Sequence, residues 1–283
     1  MQTAELPLEN VGVGLRRIAL RTPTLPPATH TNSYLVGDGD FIVVEPASPY
    51  APEQALLHAA IDARLAEGHR LLGALLTHHH ADHVSGAWAL RERYRVPVMA
   101  HAETGARLAR HGGVDRALRE GDEVDDALRE LGLRVLHTPG HAPGHLCLFA
   151  PSHGWMIVGD MVASVGTILV DVDDDGDMDD YVAQLGRLAG LAPSRLLPAH
   201  GDPIDDGVAR LQFYVRHRNQ REEKIFDAVR AGADELGAIV AAAYDDTPVA
   251  VWPLAARAAR AHLARLRKRG RVDERRGRYH ASG

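Results

Sequence analysis

Thr77-His78-His79-His80-Ala81-Asp82-His83 packs His78, His80, His83 and the carboxylate of Asp82 into six residues, directly after the apolar run Leu71–Leu76. A short apolar run bounded by polar residues predicts a buried strand. Val84-Ser85-Gly86-Ala87-Trp88-Ala89-Leu90 behind it has helical spacing. Metal-binding side chains where a core strand ends stand on a rigid support and face solvent, the position at which open α/β sheets place their ligands. In an extended segment side chains alternate, so His78, His80 and Asp82 lean one way and His79 and Ala81 the other. His83, at the turn into the helix, swings back toward the same volume. The expectation is two imidazoles for one cation and a carboxylate plus an imidazole for a second, with His79 no ligand but either packing or a support behind the ligands. Nitrogen-rich donors with some carboxylate suit Zn²⁺, with Fe or Mn compatible.

Three further strand ends carry donors. Leu133–His137 alternates like a strand and runs into Thr138-Pro139-Gly140-His141-Ala142-Pro143-Gly144-His145, where Gly/Pro turns hold His141 on a loop. Trp155–Val158 ends in Gly159-Asp160, and Leu196-Leu197-Pro198-Ala199 ends in His200-Gly201.

In this order, His-x-His-x-Asp-His, Thr-Pro-Gly-His, Gly-Asp and Pro-x-His-Gly, the residues from about 15 to 205 resemble the metallo-β-lactamase superfamily of binuclear metal hydrolases. The resemblance implies a four-layer αββα sandwich with two metals at one edge between the sheets. It implies His78, His80 and His141 on the first metal, Asp82, His83 and His200 on the second, and Asp160 bridging them. Two such cations bring a shared water to a pKa of about 7 and polarise the oxygen of the bond attacked. Asp82 is then both ligand and orienter of the nucleophile. His145 is either a catalytic proton donor, a partner of the nearby ligand His141, or a hydrogen-bonded structural histidine; His137 is read as structural.

At 283 residues and 45% hydrophobic content, the chain has room for one large α/β domain and a small one. We expect a catalytic domain over 1–222 and a winged-helix-like α+β domain over 223–283. No apolar run reaches membrane-spanning length, and Met1–Glu5 does not resemble a secretory signal. With Cys147 as the single cysteine no internal disulfide can form, so a cytoplasmic location is expected. A β-lactamase proper would need an export signal.

Ser33–Val36 and Phe41–Val44 predict a hairpin around Gly37–Asp40, and Ala55–Leu65 a helix. The seven aspartates of 171–180 imitate a calcium loop, but Val182 occupies the twelfth position where a bidentate glutamate belongs. A solvated loop capping a helix near Tyr181 is the better expectation. Residues 251–283 hold ten Arg or Lys against Asp273 and Glu274, a net +8; a total of −6 leaves −14 on the rest. Such asymmetry is a cue for an anionic partner. Helix Leu254–Lys268 followed by a hairpin resembles a winged helix. His217-Arg218-x-x-Arg221-Glu222 ahead of it resembles the lactamase-β-like branch, which includes a single-strand endoribonuclease and acyl-carrier thioesterases.

The favoured expectation is therefore a zinc-dependent endoribonuclease or phosphodiesterase acting on single-stranded RNA. A thioester hydrolase, acyl-carrier or glyoxalase II-like, is the alternative, and a non-enzymatic nucleic-acid-binding regulator a remote one. Aromatic residues at 5% leave few stacking platforms for single strands.

Overall fold

The computed structural model describes residues 7–282. By internal contacts the chain forms two compact units: one runs to Thr138 and resumes over Gly144–Gly166 and Ala192–Gly207; the other comprises Pro139–Pro143, Thr167–Leu191 and Val208–Gly283.

The first unit holds two sheets. In the seven-stranded sheet, β1 (Glu9–Gly12), β2 (Leu15–Arg21), β3 (His30–Val36), β4 (Phe41–Val44), β5 (Leu71–Leu75), β6 (Val98–His101) and β7 (Arg116–Leu118) lie side by side in chain order. The pairs from β1 to β4 are antiparallel, and those from β4 to β7 parallel. The expected hairpin is β3–β4, with Val36 opposite Ile42. The five-stranded sheet contains β8 (Arg134–His137), β9 (Leu146–Ala150), β10 (Trp155–Gly159), β11 (Arg195–Pro198) and β12 (Ile204–Asp205), in the order β12-β11-β10-β9-β8.

Strand β4 shows how the layers form. Its side chains alternate between two apolar surroundings, which is why it is a continuous apolar run. Ile42 and Val44 join Tyr34, Leu75, Val135, Leu148, Ile157 and Leu197 in the core between the sheets. Phe41 and Val43 face the other way, packing with Leu57 and Ile61 of α1 (Ala51–Ala66). The helices α2 (Ala81–Val84), α3 (Ala87–Tyr94) and α4 (Ala102–Leu108) complete this unit.

In the second unit α5 (Met178–Gly190) is capped by Asp177, whose carboxylate accepts from the Asp179 and Asp180 amides. It is followed by α6 (Gly207–Arg230), α7 (Leu236–Ala243), α8 (Trp252–Lys268) and the hairpin β13 (Val272–Arg275) and β14 (Arg278–Ala281). Ile225, Ile239, Val240, Leu263, Leu266 and Val272 share one core, so the basic tail has a buried apolar face of its own. The aspartate segment is less solvated than expected. Asp171 pairs with Arg257 at 2.6 Å, Asp173 pairs with Arg260, and Asp179 is 2.9 Å from Arg265 and 2.7 Å from Arg269.

Candidate metal centre

The buried strand β5 ends at Leu75, and Thr77 and His78 that follow it are also buried. His80 is still extended, with φ −65° and ψ 145°, and serves as the N-cap of α2. Alternation therefore accounts for His78 and His80, whose facing nitrogens are 2.9 Å apart. It does not account for Asp82, which we expected on the same extended run. A helical turn over Ala81–Val84 carries Asp82 and His83 inward.

His83 Nε2 is 3.6 Å from Asp82 Oδ1 and 3.7 Å from Asp160 Oδ2. His200 Nε2 is 3.6 Å from Asp82 Oδ2 and 3.3 Å from Asp160 Oδ1. Four donor groups, two from α2 and one each from the β10 end and the β11 end, thus converge. Donors each about 2.1 Å from one tetrahedral ion stand about 3.4 Å from one another, which matches these spacings. His83 Nε2 is buried with no hydrogen-bond partner among the described residues. Asp82, His83 and His200 offer ligand atoms that all lie within 4.8 Å. The donors present therefore fit a metal ion.

Each imidazole is held from behind. His200 Nδ1 is 3.0 Å from the His30 carbonyl, an acceptor, so this nitrogen carries the proton and leaves Nε2 for an ion. His83 Nδ1 is 2.9 Å from Glu45 Oε1. Glu45 is fully buried, accepts from the Thr77 hydroxyl as well, and has a left-handed φ of 57°. Sequence reasoning missed it; the available signal was a carboxylate directly after the apolar run Phe41–Val44. Burial lowers the pKa of His83, but Glu45, Asp82 and Asp160 outweigh that and raise it to about 10. For His200 burial again lowers the pKa, and Asp160 raises it overall.

His145 is fully buried. Its Nδ1 is 2.8 Å from Thr138 Oγ1, and its Nε2 accepts from the Asp160 amide at 3.1 Å. With Nε2 accepting, the proton sits on Nδ1. This buried ring, engaged at both nitrogens, holds the Asp160 backbone in place, which is the geometry of the hydrogen-bonded supporting histidine among the roles expected for it. Gly159 makes this approach possible: its φ is +46°, and a Cβ there would lie 2.6 Å from His145 Nε2. His137 stacks on His101 with centroids 4.1 Å apart, consistent with a structural role. In the second unit His141 is largely buried, and its Nδ1 lies 2.9 Å from the Leu169 carbonyl.

Residues 26–200 match the model of the metallo-beta-lactamase superfamily. The chain belongs to that superfamily. Residues 236–278 match the beta-lactamase associated winged helix domain, so the α/β metallo-beta-lactamase fold is followed by a winged helix, as expected. A beta-lactamase-like protein 2 homolog of Drosophila melanogaster is 29% identical over 86% of this chain and 84% of its own. A hydroxyacylglutathione hydrolase of Ruegeria pomeroyi is 33% identical over 69% of this chain and 71% of its own. The crystal structure of a beta-lactamase domain protein from Burkholderia ambifaria superposes with a TM-score of 0.84 at 24% identity, covering 99% of this chain and 96% of that one. The chain is a hydrolase of the metallo-beta-lactamase superfamily.

Beside His200 a cleft of about 380 Å³ opens, walled by Ala19, Pro27, Ala28 and Val165, with Arg17 and Asn32 among its polar groups. Arg17 already pairs with Glu9 and, at 3.1 Å, with Asp202. No helix among the described residues is long and apolar enough to cross a membrane.

Proposed function

We propose that this chain is a binuclear metal-dependent thioester hydrolase, with zinc as the expected ion. His78, His80 and His141 would hold one cation, Asp82, His83 and His200 the other, and Asp160 both. Cations held there supply Lewis acidity and a hydroxide nucleophile at neutral pH. The chain's own contribution is placement: Glu45 and the His30 and Leu169 carbonyls orient three imidazoles, and His145 fixes the Asp160 backbone. Asp82 has two carboxylate oxygens, one for a cation and one to accept a proton from the attacking water. We place the reaction in the cytoplasm, where the lone buried thiol of Cys147 needs no partner.

One observation moves the choice from RNA to a thioester. Nine of the ten cations of residues 251–283 are ion-paired inside the second unit, leaving Arg276 without an ion pair among the described residues. The +8 tail is therefore neutralised by its own neighbours, and a phosphate backbone would have to displace those carboxylates to gain counterion release. The apolar-walled cleft beside His200 and the similarity to a hydroxyacylglutathione hydrolase point the same way.

The test is a parallel assay of zinc-loaded protein on acyl thioesters, S-acylglutathione included, and on labelled single-stranded RNA. Thioester hydrolysis that chelation abolishes, zinc restores and Asp82→Ala removes is the expected result. RNA cleavage by the same metal dependence, with thioesters untouched, would overturn it.

A further inference from the structure

Arg218 is buried on α6, and no carboxylate forms an ion pair with it among the described residues. Burying an unpaired guanidinium is costly, so its actual contacts carry information. Its Nη2 donates to the Ile168 carbonyl, and the guanidinium lies 5.3 Å from the Tyr181 ring centroid and 6.0 Å from that of Tyr214. The residue next to Ile168 is Leu169, whose carbonyl accepts from His141 Nδ1 at 2.9 Å. That bond places the ring proton of His141 on Nδ1 and leaves Nε2 as the nitrogen with a lone pair to offer an ion. Two consecutive peptides, Ile168–Leu169 and Leu169–Val170, thus connect Arg218 to the imidazole.

The surrounding segment is tied down on both sides. Asp177 N–H donates to the Gly140 carbonyl at 2.8 Å, and a Cβ at Gly140 would meet the Tyr181 nitrogen at 2.2 Å. Arg257 Nε donates to Asp171 at 2.6 Å, and the Gly176 amide closes on the Asp171 carbonyl at 2.8 Å. Arg218 of α6 and Arg257, the first arginine of α8, thereby both contact the segment that supports His141.

We propose that Arg218 is a positioning residue for His141, setting the affinity of the cation that His141 helps to hold; this rests on the binuclear reading above. Residues behind a metal-ligating histidine change metal affinity by about 10- to 100-fold when altered, and Arg218 acts one step further out, so about tenfold is expected. Lysine keeps the charge but lacks the planar fork that spans the carbonyl and the two aromatic faces.

Zinc affinity of the full-length protein would be measured by chelator competition for wild type, Arg218→Lys and Arg218→Gln. Cobalt(II) absorption spectra and thermal unfolding of the stripped proteins would accompany it. The expected result is one cation weakened about tenfold, with an altered cobalt spectrum, while the second keeps its wild-type affinity. A merely structural role would lower the unfolding temperature and leave both affinities alone, which overturns the inference. Should the Arg218 variants fail to fold, Arg257→Gln, at a half-exposed ion pair, decides: a smaller loss at the same cation supports the proposal, and unchanged affinities refute it. A wild-type chain that takes up no cation removes the binuclear reading and this inference together, whereas two cations equally tight in all variants remove this inference alone.

Discussion

Replacing Glu45 by glutamine tests the centre through a residue that touches no substrate. The change keeps the side-chain shape and adds no demand on the left-handed backbone at φ 57°. It removes a buried negative charge 2.9 Å from His83 Nδ1. At that distance, and an effective dielectric constant of about 20, a charge pair is worth about 6 kcal/mol before desolvation takes most of it back. The sign of the effect on metal affinity is not obvious, because the carboxylate stabilises whatever positive charge sits on the far nitrogen. With a pKa of about 10, His83 holds a proton at pH 7 that an incoming ion must expel. Glu45 thus strengthens both competitors for Nε2. The ion carries two charges and the proton one, so the loss falls more heavily on the ion. We expect Glu45→Gln to weaken the cation on His83 by about 10- to 100-fold, about 1.4 to 2.7 kcal/mol. Because the variant's His83 is less basic, it also releases fewer protons on binding. Chelator competition at several pH values, with calorimetry in buffers of different ionisation enthalpy, measures both quantities. Equal or tighter binding in the variant would show that proton competition dominates and that the carboxylate is not a support for the metal.

Gly159→Ala places a Cβ at φ +46° and 2.6 Å from His145 Nε2; a left-handed non-glycine residue alone costs about 1–2 kcal/mol. We therefore expect at least about 2 kcal/mol of lost stability by denaturant titration, and a variant as stable as the wild type would contradict the close packing of His145. The fully buried His262 has its pKa lowered to about 4, chiefly by burial, despite Glu222 nearby. The unfolded chain takes up this proton near 6.5, so the stability that a neutral His262 contributes is complete above that value and is lost as pH falls from 6.5 to 4. The contribution is about 3 kcal/mol, and the pH dependence of thermal unfolding over this window should flatten in His262→Gln. Finally, since the tail cations are paired, binding to single-stranded RNA should show a salt slope shallower than about −1.4, equivalent to two phosphate contacts; a slope several times steeper would mean that the ion pairs open for RNA.

What could be read from the sequence was what depends on neighbours along the chain. The hairpin β3–β4, the helix after it, the tail hairpin and the donors at strand ends all follow from short-range periodicity and turn residues. His78 and His80 fall on one side because an extended backbone alternates, and that is visible in three letters. Asp82 shows the limit of such reasoning, since a helical turn of four residues brings it to its place where alternation predicts an extended run. Glu45 was beyond reach because it meets His83 across 38 positions, through the parallel pairing of β4 with β5. The charge of the tail has the same limit. A net +8 over 33 residues reads as a surface waiting for an anion, yet Arg257, Arg260, Arg265 and Arg269 meet aspartates 86 to 90 positions earlier. Composition counts the charges of a segment and says nothing of which carboxylates fold against it. An acidic loop and a basic helix in one chain therefore need to be weighed as partners of each other before either is assigned to an outside ligand.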